Sequence, residues 1–113
     1  MSISIKSRKA KSRSLQNSVV ELLLIKYRHL SNNDIKPAIM GESGIDIKLS
    51  DVARKEFPYG IECKNQESLS IWSALAQCES NAHNERLTPL LVFKRNRSKT
   101  YVVLELEDFL KLL

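Results

Sequence analysis

The sequence predicts an α/β fold with a central mixed sheet flanked by helices, in the order αβββαββ with a short helical end. Three observations predict it. Two long stretches carry apolar residues every three or four positions, shorter runs alternate apolar with polar residues, and polar turn formers separate them. The 113 residues give room for one domain and one core.

From Ser14 to Leu30, residues Leu15, Val19, Leu22, Leu23, Ile25 and Leu30 fall mostly at helical spacing and predict the first helix. Ser31, Asn32, Asn33 and Asp34 end it as turn formers. Ile35 to Met40, closed by Gly41, reads as a short first strand. Gly44 to Leu49 sets Ile45, Ile47 and Leu49 on one side and Asp46 and Lys48 on the other, the pattern of a half-buried second strand. Residues 50–58 are a polar connection with room for a helical turn before Pro58. Tyr59 to Lys64 alternates again as a third strand, with Ile61 and Cys63 on one face and Glu62 and Lys64 on the other.

Ser68 and Ser70 are N-cap candidates for a second long helix reaching His83, in which Ile71, Leu75, Cys78 and Ala82 recur at helical spacing. Thr88 to Phe93 and Tyr101 to Leu106 are β-rich runs joined by the polar turn Lys94 to Thr100. Asp108 to Leu113 forms a closing helix.

Charge is unevenly placed. The chain has 18 Lys and Arg against 13 Asp and Glu, for a net charge of +5. Residues 1–13 contain Lys6, Arg8, Lys9, Lys11 and Arg13 and no acid, so residues 14–113 are formally neutral. This predicts a flexible basic arm (1–13) before a single domain (14–113), with nucleic acid as the favoured partner. No apolar h-region follows the basic start, and Val19 to Ile25, broken by Glu21, is too short to span a bilayer. Cys63 and Cys78 lack CxxC spacing and a His at zinc-finger distance, so they read as reduced core cysteines in a cytoplasmic protein.

Asp46 from one strand and Glu62 and Lys64 from the next share an orientation that would be costly to bury unless the charges serve one another or a metal. Two carboxylates suit Mg²⁺, which keeps several waters and is often shared with substrate phosphate. A lysine beside them can hold or help deprotonate an attacking water. The combination fits metal-assisted phosphodiester hydrolysis.

Gly44-Ile45-Asp46, a 15-residue gap, then Glu62-Cys63-Lys64 resembles the PD-(D/E)xK nuclease superfamily, and the order of elements over residues 14–106 agrees with its restriction-endonuclease-like core. The signature's proline is replaced by Ile45. Within the superfamily the chain is most similar to small Holliday junction resolvases of archaea and phages. That resemblance implies direct metal binding by Asp46 and Glu62, with the Cys63 carbonyl as an extra ligand, and a water-orienting role for Lys64. It also implies that Glu21 completes the site from the first helix and that Gln77 supports it from the second. The cofactor so implied is Mg²⁺, with Mn²⁺ able to substitute.

Lys94, Arg95, Arg97 and Lys99 crowd one turn and, with Lys48 and the basic arm, are candidate phosphate contacts. His29 and His83 read as structural or surface residues, and Trp72 as either a subunit contact or a surface residue. The expectation is therefore a Mg²⁺-dependent, structure-selective DNA endonuclease acting on four-way junctions as a homodimer, in recombination or repair. Two alternatives remain open at this point: a restriction-type, nicking or repair endonuclease of the same fold, and a non-catalytic DNA-binding module.

Overall fold

A computed structural model describes residues 5–113. The first four residues of the basic arm lie outside them. The elements are α1 (Ile5–Lys26), β1 (Ile35–Pro37), β2 (Ile47–Leu49), α2 (Asp51–Glu56), β3 (Tyr59–Asn65), α3 (Ile71–Asn84), β4 (Thr88–Lys94), β5 (Tyr101–Val103) and α4 (Leu106–Leu110).

The first helix differs most from expectation, because it starts at Ile5 and includes Lys6 to Arg13. Lys, Arg and Ala are good helix formers, so nothing in these residues stops a helix nucleated further along from propagating back through them. It ends at Lys26, ahead of the Ser31 to Asp34 turn, in which the Ser31 N–H and the Ser50 hydroxyl both donate to the Asp34 carboxylate. Its buried face is Leu15, Gln16, Val19 and Val20, whereas Leu22 and Ile25 are exposed. The apolar stripe is therefore narrower than the sequence pattern and contains one polar residue, Gln16.

Ser50 caps α2, its hydroxyl accepting from the Ala53 N–H at 3.2 Å. α3 begins after Ser70, whose side chain makes no cap bond. β3 and β4 pair in parallel from Tyr59 opposite Thr88 to Asn65 opposite Lys94, and α3 is the crossover between them. β5 adds antiparallel to β4, giving the order β3-β4-β5. β1 and β2 form a separate antiparallel pair, so the three strands before α3 do not all join one central sheet as expected. The architecture is mixed α/β, compatible with a restriction-endonuclease-like core.

The main core joins Leu15, Val19 and Val20 of α1 to Ile35, Ile45, Ile47, Ile61 and Val92, and a second cluster sets Ala74 and Cys78 of α3 on Leu91. Helices thus cover β3 heavily, and Gly60 to Cys63 are all buried. The alternation that suggested one open face on this strand does not survive that cover. Gly60 shows how close α3 approaches: a Cβ there would lie 2.6 Å from Ala82 Cβ.

Candidate active site

Asp46 lies just before β2, after Gly44 turns the chain with φ +103°. Its N–H donates to the Ile61 carbonyl at 2.9 Å, and its Oδ2 accepts from the Cys63 N–H at 2.7 Å. These bonds fasten the lead-in of β2 to the edge of β3 that β4 does not use. A strand residue's N–H and C=O point to the same edge, so the Cys63 carbonyl also faces the Asp46 side.

Glu62 is 5% exposed. Asn81 of α3, one residue before the Ala82 that meets Gly60, donates from Nδ2 to Glu62 Oε1 at 3.2 Å. Lys64 Nζ lies 3.9 Å from Glu62 Oε2. Asp46 and Glu62 are close enough that each carboxyl influences the ionisation of the other. Burial, then the Asp46 charge, pushes Glu62 up to about 7. Asp46 is also raised by burial, but the Cys63 N–H, its bond with Glu62 and the Lys64 charge oppose the rise.

The two acids open on a cleft of about 170 Å³ bounded by Ser12 and Gln16 of α1, Ala38 to Glu42, Cys63, Lys64 and Gln66. Two neighbouring carboxyl groups with a carbonyl beside them fit a divalent cation with oxygen preference, whose charge would offset their mutual repulsion. No cluster of three or more His, Cys, Asp or Glu able to hold a metal occurs among the described residues. Water or substrate would supply the remaining ligands, as is usual for Mg²⁺.

Glu21 does not reach this cleft. It is exposed on α1, about 140° around the helix from Gln16, which occupies the wall instead. Gln77 is exposed and lines a neighbouring hollow with Lys64, Gln66 and Ser73. Its place beside Glu62 is taken by Asn81, one turn later. Gln16 had a sequence signal, being polar at three and four residues from Val19 and Val20. Asn81 had none, since its role depends on how closely α3 meets β3.

The basic residues separate into groups. Lys6, Arg8, Lys9 and Arg13 are on exposed parts of α1, whereas the Lys11 ammonium is buried. Lys48 pairs with Glu42 at 2.5 Å on the rim of the cleft. Arg95, Arg97 and Lys99 are exposed in the β4–β5 turn, where the Asn96 N–H donates to Glu67 at 2.8 Å. This turn follows the C-terminal end of β4, beside the end of β3 that bears Lys64.

Neither cysteine is poised as a nucleophile. Burial pushes Cys78 up to about 11 and raises Cys63 strongly, with Asp46 and Glu62 adding to the effect. His29 pairs with Glu56 on the surface, and His83 is exposed. Trp72 is 81% exposed, at the mouth of an apolar groove of about 220 Å³ formed with Leu75, Leu91 and Val103. No helix among the described residues is long and apolar enough to cross a membrane.

No curated protein and no solved structure matches the chain. A family model described as "Phage putative PDDEXK endonuclease" matches residues 27–112, a span that contains Asp46, Glu62, Lys64 and Asn81 but not α1. The paired acids and adjacent lysine are joined on the fold that this match independently identifies, and the chain belongs to the phage PDDEXK endonuclease family.

Proposed function

We propose that this nuclease is a Mg²⁺-dependent, structure-selective DNA endonuclease that resolves four-way junctions. The observation that carries the catalytic part is the buried Asp46–Glu62 pair with Lys64 at its edge. Asp46 is aimed by the Cys63 N–H and Glu62 by Asn81, so both acids are held in place before substrate arrives. Asp46 and Glu62 would hold a Mg²⁺ ion, which would supply charge to offset that developing on phosphate and would make a water easier to deprotonate near neutral pH. Lys64 orients the attacking water and neutralises a phosphate oxygen. The water gives up a proton to solvent as its oxygen forms the new P–O bond, one P–O ester bond breaks, and the leaving oxygen takes up a proton in return.

Junction selectivity is supported by the short connections between elements, which offer little room for base-reading insertions, and by cations exposed for phosphate contact on α1 and the β4–β5 turn. A homodimer would present two sites to the two strands that a junction must lose. That reading is supported by β5 as an edge strand and by exposed Tyr101, Val102, Leu106 and Phe109 on and after it.

Cleavage of labelled four-way junction, linear duplex and single-stranded DNA, in Mg²⁺ or EDTA, tests the proposal with wild type and Glu62→Ala. Wild type should cut paired junction sites only with Mg²⁺, and the variant should bind without cutting. Preferred cutting of linear substrates would overturn junction resolution. Tight binding without any cleavage would overturn catalysis.

A further inference from the structure

Three buried side-chain polar atoms lack a hydrogen-bond partner among the described residues: Lys11 Nζ, Gln16 Oε1 and Asn65 Oδ1. All belong to the seam between α1 and the C-terminal end of β3. Asn65 Nδ2 donates to the Lys11 carbonyl at 3.4 Å, tying this turn of α1 to the strand immediately after Lys64. Gln16, 6% exposed, lines the cleft that contains both acids, and Ser12, next to Lys11, lines it too. Gln16 thus lines the cleft itself, while Lys11 and Asn65 lie beside it, next in sequence to the lining residues Ser12, Lys64 and Gln66.

An unpaired buried ammonium is costly, and each unmet acceptor adds to that cost, so these groups are open to a partner from outside the chain. We propose that Lys11, Gln16 and Asn65 form a phosphodiester subsite on the α1 wall, engaging a backbone phosphate beside the scissile one. A non-bridging phosphate oxygen supplies the counter-charge for Lys11. Water carried with the DNA backbone supplies the donors for the two amide oxygens. Lys11 as a whole is only half-buried, so rotation of its long side chain turns the ammonium into the cleft. The subsite rests on the nuclease reading for the identity of its anion, and it gives Lys11 a role separate from the exposed cations of α1.

The test is DNA binding in EDTA, which is independent of cleavage, with single methylphosphonate replacements scanned along the strand. Wild type should bind about tenfold more weakly when one particular phosphate is neutralised, as expected for loss of one charge-assisted contact. Lys11→Met should bind unmodified DNA about tenfold more weakly and show no further loss at that position. Its melting temperature should equal or exceed that of wild type, because an unpaired buried charge has been replaced by an apolar side chain. Lys11→Gln, which keeps a polar end and removes only the charge, provides the same comparison should the methionine variant not fold. Wild-type affinity in either variant, or an unchanged methylphosphonate profile, would overturn the subsite. So would a fall in melting temperature with DNA binding intact, which would make Lys11 a tie within the fold. Failure of the nuclease reading would appear instead as absence of Mg²⁺-dependent cleavage with this binding profile preserved.

Discussion

Glu62→Gln should stabilise the metal-free protein above neutral pH. In the fold Glu62 keeps its proton up to about 7, whereas its ordinary value is 4.5. Between those values the folded chain binds more protons than the unfolded chain, so this residue's contribution to stability is lost as pH rises through the window. Above it, folding forces an ionised Glu62 against Asp46 in a buried setting. The shift converts to at most about 3 kcal/mol, and screening by water in the open cleft leaves roughly 1–2 kcal/mol. Glutamine removes the ionisation while its amide oxygen still accepts from Asn81 Nδ2. Melting in EDTA from about pH 5 to 9 should therefore show a gap between the two proteins that opens with pH, to about 4–8 °C in favour of the variant. Mg²⁺ at the alkaline end should raise the wild-type melting temperature and leave the variant's nearly unchanged. A gap independent of pH, or a variant less stable than wild type at the alkaline end, would refute the reasoning.

Asn81→Ala should weaken Mg²⁺ binding by about 10-fold or more, measured by calorimetry, because it removes the Nδ2–H donor that fixes Glu62 Oε1. Glu21→Ala should leave cleavage rates unchanged and shift stability by no more than about 0.5 kcal/mol, consistent with its exposed position off the cleft. Gly60→Ala should lower stability by about 1–3 kcal/mol in urea unfolding, since its Cβ would meet the Ala82 backbone at 2.8 Å. Lys64→Met should reduce the cleavage rate by about 10²-fold or more while DNA binding persists in Ca²⁺.

Much of the site was legible because its acids announce themselves by position. Asp46 among Ile45 and Ile47, and Glu62 between Ile61 and Cys63, are charges set into apolar strands, where hydration is hard to retain. The helix-borne members were less legible. Glu21 was expected in the site because it breaks an apolar run, yet that run contains Leu22 and Ile25, which are exposed. A helix turns by about 100° per residue, so a run of neighbours must include positions facing away from the core. Only the i, i+3, i+4 relation of Gln16 to Val19 and Val20 identifies the buried side.

By itself the sequence determined the strand and helix order, the carboxylate pair with its lysine, and the concentration of positive charge ahead of Ser14. Those features follow from local periodicity and from the cost of burying charge. Tertiary structure alone decided which helical residues reach the acids, since Asn81 arrives through the close contact of Gly60 with Ala82. It also decided that Lys11 turns inward while its basic neighbours on α1 stay exposed. Residues far apart in the chain meet only after helices and strands pack, and short-range pattern cannot encode the distance at which they do so.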